Sequence, residues 1–300
     1  MKYQGILAVL FCILFSFNSI AEEAPYTPEQ QKYLKWAKTL WESLDRKHGE
    51  VKLIDGVASL NVPESFYYLN PTDTQKVLVE VWGNPPGKET LGMLLPEGST
   101  PFDQSSWGVT IEYAKDGYVS DEDADDIDYD DLLSQMKSDT REESKKRVEQ
   151  GYEGIELLGW AAKPYYDQSS HKLHWAKEYK FSTQEEHTLN YNIRILGRKG
   201  VLVLNFIAGM ESKGIIEQNL DDVLSIAKFD QGSTYADFDP DVDTMAAYGL
   251  GALVAGKAAA KAGFFAAALI FLKKFGVYIL IGFGILIKKL LGRKKASSST

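Results

Sequence analysis

Cysteine is nearly absent: one stands in 300 residues, at position 12. It lies in an N-terminal apolar run expected to be removed, so the mature chain has no thiol nucleophile, no disulfide and no thiolate metal site. Histidine is scarce too, with four residues and no His-Glu-x-x-His pair, so zinc hydrolysis has no ligand set. No Gly-x-Ser-x-Gly elbow surrounds Ser59, Ser65 or Ser106, and no Gly-rich nucleotide loop occurs. Acidic residues are missing from the last 55 positions, because all 42 precede Met245. That last absence divides the chain.

At the N-terminus, Lys2 precedes an apolar run from about Ile6 to Phe17, followed by Asn18-Ser19-Ile20-Ala21. One charge, a short apolar core and small residues before the cut predict a signal peptide over 1–21, cleaved after Ala21. The run is shorter than the about 20 residues a membrane span needs. Over 22–245 stand 23 basic against 42 acidic residues, a balance of −19. A surface that negative excludes nucleic acid as a partner, since phosphate binding needs Lys and Arg footprints.

Residues 246–291 hold long Gly/Ala/Leu/Ile/Phe runs flanked by Lys and Arg, which predicts a membrane anchor, with 292–300 as a basic, serine-rich tail. A single span would place Lys273 and Lys274 in mid-bilayer, at roughly 2.5–3.5 kcal/mol each. Two short helices joined there avoid that, and the expectation leans to this hairpin. Lys257 and Lys261 then lie one turn apart on the first helix as a polar seam. The hairpin returns a basic tail to the outer side, against the positive-inside tendency.

The acidic body, 22–245, reads as α+β: a mostly antiparallel sheet with covering helices, with a possible division near residue 150. Thr27-Pro28-Glu29-Gln30 is a capping box opening a helix. Asn70-Pro71 starts a second helix, with Val77, Leu78, Val81 and Trp82 as its stripe. Ser120 with Asp123 is read as the cap of a third, running from about Tyr129 to Gln150. Strands are expected at Val51–Ile54, Val57–Val62, Leu91–Leu95 and Val109–Tyr113. Leu173–Phe181, Leu189–Leu196 and Val201–Ala208 form an antiparallel meander, the last pair joined by Gly197-Arg198-Lys199-Gly200. A helix face follows over 215–227.

Few constellations rise above this scaffold. Asp121-Glu122-Asp123-Ala124-Asp125 imitates a calcium loop, but Asp126 and Leu132 replace its required Gly and Glu. His171 and His174, three apart on a predicted strand, point to opposite faces. No metal and no cofactor is expected. Trp82, Trp107, Trp160 and Trp175 each neighbour small residues, which suits either core packing or a ring-lined groove.

Trp82-Gly83-Asn84-Pro85-Pro86, Ser106-Trp107-Gly108-Val109, Asp116-Gly117-Tyr118-Val119-Ser120-Asp121, Gly159-Trp160-Ala161, the block Leu189–Arg198 and Asp237-Phe238-Asp239-Pro240, taken in order, resemble a bacterial family of membrane-anchored proteins known as domain of unknown function 2167. The resemblance spans roughly 50–290. It implies an envelope protein with a C-terminal anchor and no assigned activity, and it supplies no catalytic residues. At the level of fold, the strand-rich segments ending in an apolar helix with a Lys-Phe close (Leu220–Phe229) are similar to the small sheet-and-helix modules of the photosystem-P-protein type.

The expected protein is therefore a non-enzymatic module in the bacterial inner membrane, its body periplasmic. Residues 246–291 meet membrane lipid, and the body binds an unknown envelope protein or small ligand. Trp82, Asn84, Trp107, Asp116 and Tyr118 are the candidate surface. An envelope hydrolase gathering Asp116, Asp121 and Asp128 is the first alternative, and an oligomeric membrane pore the second.

Overall fold

A computed structural model describes residues 26–54, 56–87, 89–103 and 105–255. The chain opens with α1 (Pro28–Ser43), and both halves of the Thr27/Gln30 capping box form. There follow β1 (Arg46–Lys47), β2 (Gly49–Ile54), β3 (Ala58–Val62), β4 (Phe66–Leu69) and α2 (Pro71–Lys76). Asn70 caps α2, whose last turns widen into a π-helix over Val77–Val81. Next come β5 (Gly92–Pro96), β6 (Gly108–Ala114) and α3 (Tyr129–Glu149). The meander is four strands, β7 (Ile155–Asp167), β8 (Lys172–Phe181), β9 (His187–Gly197) and β10 (Gly200–Gly209), followed by α4 (Lys213–Ile226) and β11 (Ala227–Phe229). The described residues through Leu250 belong to one compact unit and Gly251 begins a second, whose described residues lie in the short helix Leu250–Ala255.

Eight strands make one antiparallel sheet in the order β1-β4-β5-β6-β10-β9-β8-β7, and β11-β3-β2 make a second. The fold is α+β with a large antiparallel sheet. Alternation decides its faces. Leu202, Leu204, Phe206 and Ala208 of β10 and Leu189, Tyr191, Ile193 and Ile195 of β9 are buried on one side. They pack with Ile216, Val223 and Ile226 of α4 and with Ala58, Leu60 and Val62 of the small sheet. The other side carries Asn190, Asn192, Arg194, Val203 and Asn205, so one face of the sheet is apolar and the other mixed. A second core joins α1 to β4 and β5 through Leu40, Leu44, Tyr67, Leu69, Met93 and Leu95.

Three expectations need correction. Ser120 does not cap α3: Asp128 does, its carboxylate accepting from the Asp130 and Asp131 amides at 3.0 Å each, while Ser120 turns back to the Glu122 amide. The helix started by Asn70 does not stay α-helical through Val81, because the backbone opens to the π form from Val77. His171 is not on a strand. It sits in the β7–β8 turn at φ 51, and β8 starts at Lys172. Among the described residues no helix is long and apolar enough to cross a membrane. The expected signal peptide, the polar seam at Lys257 and Lys261 and nearly all of the anchor lie outside the described residues.

Candidate functional site

The densest polar construction lies where residues 230–250, a strap leading towards the C-terminal segment, cross the loop after β6. Tyr118 pairs with Met245 as a parallel bridge: the Tyr118 amide donates to Thr244 O at 2.9 Å and the Ala246 amide to Tyr118 O at 2.7 Å. The approach is close enough that a Cβ on Gly117, at φ +95, would strike the Thr244 carbonyl, so only glycine fits there. Rings stack in a column. Tyr118 lies between Phe238 at 3.9 Å and Tyr235 at 4.4 Å, and His171 covers the far side of Tyr235 at 4.1 Å.

Asp121 is the centre of this arrangement. Its carboxylate accepts from the Tyr166 hydroxyl at 2.6 Å and the Tyr235 hydroxyl at 3.0 Å. His171 Nδ1 lies 3.6 Å from it and 3.2 Å from the Tyr166 oxygen. Burial pushes the Asp121 carboxyl up, but the two phenols and His171 outweigh that and hold it below the usual range. The same burial and the adjacent carboxylate push both phenols far up, so they remain donors. Proton bookkeeping then assigns the tautomer. Tyr166 spends its one hydrogen on Asp121, so its oxygen accepts from His171, and Nδ1 carries the imidazole proton.

Neighbouring carboxylates fasten the rest of the strap. Asp243, its side chain without exposed surface, accepts from Arg198 Nε at 2.6 Å and lies 3.4 Å from Lys199 Nζ. The Arg198 guanidinium holds its carboxyl down at about 2. Tyr248 donates a short hydrogen bond to Asp116. Asp123 accepts from the Leu250 amide at 3.0 Å. Two shallow recesses flank the joint. One of about 430 Å³ runs between Asp125–Asp130 and Lys163–Pro164, and one of about 260 Å³ lies beside Ser120, Asp123 and Tyr248. Among the described residues no three His, Cys, Asp or Glu side chains are grouped to hold a metal.

The five candidate surface residues separate. Asp116 and Tyr118 both belong to the joint. Trp82 is half-buried in the α1/β4/β5 core, its Nε1 donating to Pro101 O at 2.9 Å. Asn84 closes the turn after the π-helix, donating to Leu78 O at 3.2 Å from its side chain and 2.9 Å from its backbone. Trp107 is 6% exposed, stacked on Phe206 at 6.0 Å and edge-on to Phe66 at 5.9 Å, so it is a core residue. The three carboxylates of the hydrolase alternative are likewise divided: Asp116 serves Tyr248, Asp121 serves the two phenols, and Asp128 caps α3. Tyr166, Tyr235 and Asp243 escaped sequence reasoning, and the sequence marks His171 only as half of a histidine pair with His174. The one local signal was the Tyr165-Tyr166 pair ahead of a polar turn, which names no partner.

A family model described as "Protein of unknown function (DUF2167)" matches residues 45–284. The chain belongs to this family. Among solved structures, the DUF2167 chain is similar to the solution structure of cyanobacterial PsbP (CyanoP) from Synechocystis sp. PCC 6803, at 14% identity over 72% of this chain and 98% of that one, with a TM-score of 0.32. No curated protein matches it significantly.

Proposed function

We propose that this DUF2167 protein is a non-enzymatic binding module of a bacterial envelope, tethered in the inner membrane by its C-terminal segment with its acidic body in the periplasm, where it takes a protein partner or small ligand. The observation that carries the reading is the joint itself. Asp116, Asp121, Asp123 and Asp243 each bond residues 230–250 to the rest of the body, with Asp121 ionised between two phenols rather than poised as an acid. A group built to fasten the chain leading to an anchor suits a tethered module better than a reaction centre. Charge supports the same division, with 42 acidic residues before Met245 and nine basic ones after it. Because the joint reaches Leu250, the lipid-embedded part starts beyond that residue in this reading.

Fractionation tests it. The untagged protein should stay with membranes through a mild salt wash, and release into the soluble fraction rejects the anchor. Protease treatment of spheroplasts carrying a C-terminal tag separates the topologies, since a protected tag excludes the hairpin. Crosslinking in intact cells, followed by identification of what is attached, then supplies the partner.

A further inference from the structure

On the mixed face of the large sheet, strands β8 and β9 bring an arginine and a tryptophan together with their donors largely unspent. Register places Trp175 opposite Asn192 and Leu173 opposite Arg194, so all four side chains leave the same face. The Arg194 guanidinium carbon lies 4.7 Å from the centroid of the Trp175 ring. Among the described residues its one side-chain hydrogen bond runs from Nη1 to the Ile193 carbonyl at 3.1 Å. No carboxylate is in ion-pair contact with it among the described residues. Glu112 stands two strands across the sheet on the same face, and its charge partly offsets the effect of burial on the guanidinium. Burial brings the guanidinium down to about 10.

Trp175 is 1% exposed, and its Nε1–H finds no acceptor among the described residues. A buried indole donor and a buried guanidinium without a carboxylate are both costly to leave unmatched. Asn192, 4% exposed beside them, donates to Asn190. Arg194 itself keeps part of its surface open, as do Val203 and Asn205 on the same face, so the approach is from the Arg194 side, while the Trp175 Nε1–H is closed to solvent.

We propose that Arg194 and Trp175 form the floor of a carboxylate-binding site on this face. The guanidinium fork takes the two oxygens side by side, and the indole N–H adds a third donor at the edge. A monoanionic carboxylate fits better than a dianionic phosphate, because a body carrying a balance of −19 opposes each added negative charge. Asn190 spends its amide nitrogen on Asn205 and Phe206, and Asn192 spends its own on Asn190, so the amide nitrogen of Asn205 remains to meet a ligand that carries an amide beside its carboxylate. This deepens the binding-module reading by naming a ligand class, and the two fail separately: fractionation tests the tether, whereas the following test reads only the site.

The full-length protein in mild detergent, labelled with ¹⁵N in its tryptophan indoles, is titrated with N-acetylglycine, with sodium chloride and inorganic phosphate in parallel. The Trp175 indole signal is assigned by its loss in Trp175→Phe. A saturable shift of that signal with N-acetylglycine is expected, and chloride should give none. Arg194→Gln should abolish the shift, and Arg194→Lys should weaken binding about tenfold or more, since it keeps the charge but loses the fork. If Arg194→Gln does not fold, Trp175→Phe must retain the fold and lose affinity by calorimetry. No saturable shift in the folded wild type overturns the proposal. So does an equal response to phosphate or chloride.

Discussion

The Tyr235 hydroxyl meets the Asp121 carboxylate at 3.0 Å across 114 residues of sequence. That bond and its partner from Tyr166 tie three separate segments to one acid: the loop after β6, the end of β7 and the strap. Removing the acid should therefore do more than remove a surface charge. Asp121→Ala leaves the Tyr166 phenol without its acceptor and the buried Tyr235 phenol with only the Val119 carbonyl, at 3.1 Å, and unmatched groups of this kind cost about 1–3 kcal/mol each. We expect a loss of about 2–4 kcal/mol in urea unfolding, against about 1 kcal/mol for Asp128→Ala, which removes only a helix cap. Equal losses would show that Asp121 is no more than a capping-grade acid.

Acid should release the strap before it melts the sheet. Asp121 and Asp243 are both held below the ordinary carboxylate value of about 4 in the folded chain. A depressed folded value means that the stabilisation is complete above about pH 4 and is lost as pH falls through the folded values, which reach about 2 for Asp243. Amide exchange provides the readout. Protection of the Ala246 amide, bonded to Tyr118 O, should fall in that window while the Leu204 amide of β10 stays protected. Simultaneous loss at both positions would rule out a separable strap.

Gly117→Ala should loosen the same joint from the backbone side. A methyl group there meets the Thr244 carbonyl, and φ +95 is unfavourable for any L side chain. A cost of about 1–3 kcal/mol is expected by thermal denaturation. Gly151→Ala serves as the reference. Its φ of +82 is comparable but nothing stands within 4 Å, so it should cost less.

Trp107→Ala should act through stability rather than recognition. The ring is packed between Phe66 and Phe206, and truncation of such a residue costs about 3–5 kcal/mol. Trp82→Phe keeps the packing and loses only the bond to Pro101 O, about 1 kcal/mol. Denaturant midpoints for the pair check this. A Trp107→Ala protein as stable as wild type would return that ring to the surface.

Where chemistry is local, the chain discloses itself. The Thr27/Gln30 box, the alternation of Leu202, Leu204, Phe206 and Ala208, and the Gly197–Gly200 turn all act over a few residues, and α1, β10 and the β9–β10 hairpin appear as expected. Strand β7 was hidden for a physical reason. Irregular pairing at Leu157/Gly159, Trp160/Ala162 and Ala162/Tyr165 breaks its two-residue period, so its buried positions do not alternate. The Asp128 cap was missed because six acids crowd positions 121–128, and only geometry picks the one whose carboxylate reaches two amides. The joint was beyond reach altogether. Asp116 and Tyr118 stood out by their neighbours, but Tyr166, His171 and Tyr235 gain meaning only from partners far along the chain.

The seam between β6 and β10 has a consequence for synthesis. Gly108 meets Ile207 and Ala114 meets Val201, with α3 and three strands inserted between them. Until that late segment emerges, β6 offers a bare row of hydrogen-bonding groups flanked by Val109 and Ile111. A chain cut short before residue 200 is thus expected to aggregate rather than persist as a smaller folded piece, and a cell making this protein has reason to keep the first half unfolded until the second arrives.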